Sequence, residues 1–177
     1  MTRTILSLLL MTCTLAGFAQ TQEVPAAIKV TDDYKLIMHA YAKGVQVYIC
    51  TQDPADTSRY VWTFSEPRAN LYTAADYHKL IGKHYLNPAK KPTWAYTDGS
   101  TISGAKLQQV NSPDSTAIPW LLLKGITPGG TGTLTPVVFI QRINTQGGKA
   151  PVTADKQHKG QLLAQPYTAE YLFYIKK

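Results

Sequence analysis

The sequence predicts an all-β domain, an antiparallel β-sandwich or closed β-barrel of about eight strands, and three observations predict it. Apolar residues recur with period two in the segments that open and close the domain. Clusters of Gly, Pro, Asn, Asp and Ser interrupt the chain roughly every ten residues, the spacing of short strands joined by turns. Residues 118–126 and 134–143 are strongly apolar and flank a Thr/Pro/Gly turn that excludes helix, so they read as a hairpin at the centre of the sheet. Trp120 and Phe139, one on each arm, are expected to share one interior.

At the N-terminus, Arg3 precedes an apolar run over 5–15 and then Ala16-Gly17-Phe18-Ala19. A basic start, a short apolar centre and small residues at Gly17 and Ala19 describe a secretory signal, with cleavage expected after Ala19. The run is too short to span a bilayer, which takes about 20 apolar residues. A lipoprotein anchor at Cys13 fits less well, because no small residue precedes it. The expected organisation is a signal peptide over 1–19, a loose polar lead-in over 20–33 and one β-domain over 34–177. The protein is expected to be exported, to the periplasm or beyond the cell, with no transmembrane segment after cleavage. Losing Arg3 lowers the formal net charge of +7 by one. That modest basicity serves solubility first. It would also favour acidic envelope polymers or lipid headgroups, while nucleic acid is not expected for an exported chain without a binding motif. With Cys13 in the signal, Cys50 has no intrachain partner and reads as a small apolar core residue.

From Tyr34 the alternation of Leu36, Met38 and Ala40, and after Gly44 that of Val45, Val47 and Ile49, predicts two strand segments joined by a bend at the glycine. A helix over 34–43 is the competing reading. Residues 52–58 are turn chemistry, and 59–64 read as a strand that Glu66-Pro67 should stop, with another short strand over 68–72. Strands follow over 80–85 and 92–97. Asp98-Gly99 is a hairpin signal leading into a strand over 101–110. Residues 149–165 are polar, loop or edge. The chain closes on a strand with Tyr167, Ala169, Tyr171, Phe173 and Ile175 on one face.

Several runs carry a family resemblance: Gly44-Val45-Gln46-Val47-Tyr48-Ile49-Cys50, Trp62-Thr63-Phe64 and Pro92-Thr93-Trp94. To these add Ile118-Pro119-Trp120-Leu121-Leu122-Leu123-Lys124, Phe139-Ile140-Gln141-Arg142-Ile143-Asn144-Thr145, and the stretch from Tyr167 to Tyr174. In this order they resemble DUF3455, an exported bacterial and fungal domain of unknown function. The resemblance implies no activity. It does imply a second cysteine shortly after the Gly-Gly-x-Ala-Pro turn, paired with Cys50, but this chain has Val152-Thr153-Ala154-Asp155 there. A dehydrogenase activity is not expected, because no G-x-G-x-x-G follows a strand.

The best chemical constellation is a set of polar side chains among aromatics. His84 ends a strand and Asp98 lies one hairpin later, so antiparallel pairing would bring them together as weak candidates for a general base and its orienting partner. Otherwise Asp98 is a turn residue and His84 a structural histidine. By strand alternation Arg142 shares a face with Ile140 and Val138, and Gln141 shares one with Phe139. An inward Arg142 needs a partner, Glu66 or Asp98, or else it clamps a ligand anion. Trp94, Trp120, Gln141 and Arg142 are therefore the candidate ligand-binding residues. With three tryptophans and eleven tyrosines the chain has platforms for flat ligands or sugars, though most such rings belong to a core. No metal site, cofactor or serine-hydrolase elbow is expected. The favoured reading is a non-catalytic domain that binds a small molecule, glycan or envelope protein. An acid–base enzyme is the alternative, and a surface assembly protein is a third reading.

Overall fold

The computed structural model describes residues 23–177, so the signal segment and its cleavage site lie outside the described residues. Eight strands follow one another: β1 (Tyr34–Asp53), β2 (Asp56–Tyr72), β3 (Leu80–Leu86), β4 (Pro92–Tyr96), β5 (Thr101–Val110), β6 (Trp120–Gly129), β7 (Phe139–Gly147) and β8 (Leu162–Lys176). Each pairs antiparallel with the next, and β8 returns to β1, so the single sheet closes into an irregular barrel rather than a sandwich. Closure removes the open edges that a flat sheet would expose.

β1 is the longest strand and holds the ring together. It pairs with β2 from Tyr41 to Asp53 and with β8 from Tyr34 to Ile49. It is one strand, not two segments or a helix. Its irregularities fall between Leu36 and Met38, between Val47 and Tyr48 and between Gln52 and Asp53, not at Gly44. The glycine is there for closeness: a Cβ at Gly44 would lie 2.1 Å from the Arg68 carbonyl oxygen and 2.5 Å from the Ala69 Cα.

The expected stop at Glu66-Pro67 does not occur, and β2 runs through it. Pro67 pairs with Gln46 on the β1 side, while pairing with β3 begins only at Ala69. The missing N–H therefore costs no ladder hydrogen bond. Pro166 in β8 sits the same way, paired with Val45 on β1 and preceding the first β7 pair at Tyr167.

The 118–143 hairpin forms with different limits. Only four residue pairs join β6 to β7, from Leu121 with Arg142 to Lys124 with Phe139. The apolar residues of 134–138 are not strand. Leu134 and Val137 are buried in the loop that packs into the main core. In a ring no hairpin is central, and the extensive pairing belongs to β1.

Two apolar clusters result. Inside the ring, Trp94, Tyr171 and Phe173 pack against the small side chains Ala40, Ala42, Ala69 and Ala169. Bulky rings from β4 and β8 fill the space left by alanines on β1 and β2, the large-against-small matching that close packing requires. The second cluster lies on the outer face, where Trp120 and Ile143 pack with Ile28. Trp120 and Phe139 therefore do not share the interior. Ile140 pairs with the inward Phe173, so Phe139 and Gln141 face outward by alternation.

Residues 23–33 are anchored, not loose. A 3-10 turn at Ala26–Ile28 places a fully buried Ile28 against Trp120, and Gln141 Nε2 donates to the Ile28 carbonyl over 2.6 Å. Tyr174 Oη in turn donates to Gln141 Oε1 over 3.1 Å. Ile28→Val should therefore lower stability by about 1 kcal/mol, the usual cost of one buried methylene. The denaturant midpoint reads this, and an unchanged midpoint would show that the contact carries no stability.

Candidate functional site

The ring is not filled along its whole length. Between the packed aromatics and one rim lies a cavity of about 820 Å³. Its polar floor is formed by His84, Trp94 and Tyr171, with Gln46 and Tyr48 on the β1 wall and Leu121, Leu123 and Arg142 on the β6–β7 wall. Phe64, Pro67 and Leu86 line the side where β2 has not yet joined β3, and the exposed Lys90 and Lys106 stand at the rim. The space exists because β2 and β3 share only four pairs, from Ala69 to Tyr72, so the wall parts above them.

Arg142 shares the face of Ile140, as the alternation predicts; that face points inward, and Arg142 is half-buried. Its Nε and Nη2 both donate to the Pro119 carbonyl, over 3.0 and 2.8 Å. Neither expected carboxylate reaches it. Glu66 accepts from its neighbour Arg68 over 2.7 Å, two residues along the same strand. Asp98 is engaged by the Ser100 and Thr133 amides, over 2.9 and 2.7 Å, and by the Ser100 hydroxyl. These hydrogen bonds, the Ser100 hydroxyl foremost, hold the Asp98 carboxyl well below the usual carboxylate range. Asp98 is a turn residue that also anchors the β6–β7 loop.

His84 lies flat on Trp94, with ring centroids 4.5 Å apart and planes 11° from parallel. Its Nδ1 is 3.0 Å from the Thr93 carbonyl oxygen, which can only accept, so the neutral ring carries its proton on Nδ1. Burial is the main reason its pKa drops to about 3; the Thr93 carbonyl opposes the shift and the Arg142 charge adds to it. His84 is therefore a neutral imidazole at ordinary pH.

Around the floor, Trp94 Nε1 is buried without a partner among the described residues, while the Gln46 amide and the Tyr167 and Tyr171 hydroxyls cluster with one another and with Arg142 but form no hydrogen bond of 3.5 Å or less there. Burial raises the pKa of both tyrosines, while the Arg142 charge opposes it, so both hydroxyls stay protonated and able to donate. Tyr48 is satisfied, its hydroxyl donating to the Gly148 carbonyl over 2.6 Å.

The structure thus brings His84, Trp94 and Arg142 together and places Asp98, Trp120 and Gln141 elsewhere. Trp120 is sealed under Ile28 on the outer face, and Gln141 holds the lead-in there. Sequence reasoning missed Gln46, Tyr171 and the rim lysines. Gln46 had a signal, since it is a polar residue in the inward row with Ala40, Ala42 and Gly44. A histidine–carboxylate pair does form with other members: His39 Nε2 lies 2.7 Å from Glu170 Oε2, half-exposed on the outer face. The β1–β8 pairing creates it across 131 residues.

Cys50 is buried, and its Sγ lies 3.7 Å from the Asp155 carbonyl oxygen. The segment where the resemblance implies a second cysteine therefore packs against it. Among the described residues no group of His, Cys, Asp and Glu side chains suits a metal ion. No helix among them is long and apolar enough to cross a membrane.

Comparison with curated proteins and with solved structures gave no significant match. A family profile described as a protein of unknown function, DUF3455, matches residues 31–175, from just before β1 to near the end of β8. The matched span holds every strand of the ring and every residue of the cavity, and on that match the chain belongs to the DUF3455 family.

Proposed function

We propose that the protein is an exported binding domain that holds a small molecule inside the ring without transforming it. One observation carries this reading: a cavity of about 820 Å³, largely apolar and lined by a few polar side chains, one of them an arginine with no carboxylate partner. Small-molecule sites have this size and character, roughly 300–1,000 Å³ with a few placed polar groups. Export rests on the Arg3-led apolar run and the small residues Gly17 and Ala19.

The geometry favours binding over acid–base chemistry. A general base works best with a pKa near the operating pH, and His84 is pushed down to about 3. Its intended partner Asp98 does not line the cavity. A glycan platform is also less favoured, because Trp94 and Trp120 are each only 1% exposed.

The neutral fluorescent probe N-phenyl-1-naphthylamine tests the reading. Wild-type protein should bind it saturably, with enhanced emission. Leu121→Trp, which fills the cavity from its β6 wall, should weaken binding about tenfold or more while the circular dichroism spectrum is kept. Wild-type protein that shows no saturable binding would overturn the reading.

A further inference from the structure

We propose that the ligand is an organic monoanion, a carboxylate on an apolar body, with the carboxylate on the free edge of the Arg142 guanidinium and the body along the Phe64 and Leu121 walls. This rests on the binding reading above and names the class of molecule that the same cavity takes.

Charge is the first argument. Arg142, Lys90 and Lys106 line the cavity, and no Asp or Glu does. None of the three takes part in an ion pair among the described residues. A half-buried cation without a counter-charge is costly, and an anion in the cavity offsets that cost. The two lysines at the rim add a positive field that draws anions toward the opening.

Geometry is the second. The Pro119 carbonyl takes Nε and one Nη2 hydrogen, which fixes the plane of the guanidinium. Nη1 and the remaining Nη2 hydrogen face no carboxylate among the described residues, only the neighbouring Tyr171 hydroxyl. They form a two-pronged edge that matches the two oxygens of a carboxylate. A single fork beside neutral groups balances one negative charge, which favours a carboxylate over a phosphate dianion.

The third argument is the kind of polar atom nearby. The Gln46 and Tyr171 side chains line the cavity, and the Tyr171 hydroxyl sits beside Arg142. No carboxylate lines the cavity, so its cations meet no charged acceptor there, and a ligand carboxylate supplies one. The neutral His84 ring, stacked on Trp94, adds apolar surface without competing as a cation or an anion.

Titration calorimetry at pH 7 with 2-naphthoate, decanoate and the neutral isostere 2-naphthylmethanol tests this. At least one carboxylate should bind about tenfold or more tighter than the alcohol, and whichever binds better identifies a flat or an extended body. Arg142→Gln, whose amide can still donate to Pro119, should abolish that preference, so that carboxylate and alcohol bind alike. Should that variant not fold, Arg142→Lys keeps the charge, loses the fork and should weaken carboxylate binding about tenfold. Equal binding of alcohol and carboxylates, or Arg142→Lys indistinguishable from wild type, overturns the proposal and leaves the cavity reading standing. A stronger response to inorganic phosphate than to either carboxylate also overturns it. Failure of all three ligands together with the neutral naphthylamine probe overturns the cavity reading itself.

Discussion

Gly44→Ala is expected to destabilise the protein by about 3 kcal/mol or more, at or beyond the upper end of overpacking costs. The added methyl would stand 2.1 Å from the Arg68 carbonyl oxygen, 2.5 Å from the Ala69 Cα and 2.7 Å from its Cβ. Two of these three atoms belong to backbone, so no side-chain rotation relieves the clash. Arg68 and Ala69 are in register with Val45 and Gly44, and Ala69 is also paired with His84 on β3. Relief would require β1 and β2 to part where the cavity begins. Urea unfolding followed by tryptophan fluorescence gives the value, with Lys35→Ala, on the exposed part of the same strand, as a control expected within about 0.5 kcal/mol of wild type. A Gly44→Ala loss no larger than the control's would mean that the two strands do not approach as closely as described.

The second large effect is a loss of stability in mild acid that depends on His84. In the unfolded chain its imidazole takes a proton near 6.5, but in the folded protein only near about 3. Between these values the unfolded state binds more protons, so stability falls as pH falls; above 6.5 both states are neutral and the residue adds no slope. At about 1.4 kcal/mol per pH unit, His84 should remove about 2 kcal/mol between pH 7 and pH 5. The groups facing the ring are Arg142, which disfavours its protonation, and the protonated Tyr171, with the Thr93 carbonyl as its hydrogen-bond partner. The carboxylates with lowered pKa, including Asp98 and Glu170, lose their contribution mainly at lower pH, so this window isolates the histidine. Chemical denaturation of wild type and His84→Asn at several pH values reads the difference. The amide can still donate to Thr93, so the variant is less stable at pH 7 and the gap closes by about 2 kcal/mol at pH 5. Parallel curves would show that His84 is not a buried neutral imidazole.

Much of the fold was legible because burial on one side of a strand leaves a period of two. In β8, Tyr167, Ala169, Tyr171 and Phe173 are buried and alternate with more exposed neighbours. The Asp98-Gly99 turn is where its chemistry put it, with Gly99 at φ 88°. Prolines misled, because Pro67 is a strand breaker only if both its edges are paired, and pairing depends on strands distant in sequence. Apolar content misled at 134–138, since a buried loop and a buried strand have the same composition.

The candidate site was half legible. Alternation along β7 put Arg142 on one face with Ile140, and His84 and Trp94 face each other across β3 and β4, close in sequence. Asp98 was misassigned because being one hairpin away does not say which way a turn residue points. Trp120 and Gln141 were misassigned because a strand buried on both faces does not declare which face is the interior. The outer face of β6 and β7 is covered by Ile28, a residue the sequence placed in a lead-in.

The amino-acid sequence alone determined the all-β class, most strand positions, the family and the face that Arg142 shares with Ile140, because each follows from local periodicity or from matching residues in order. Only the tertiary structure decided that the sheet closes into a ring, that β1 joins both ends of it, and that a cavity with cations and no carboxylates remains inside. Closure and the cavity depend on β8 returning to β1 and on β2 separating from β3. Those contacts join residues far apart in the chain, and no local pattern of residues encodes them.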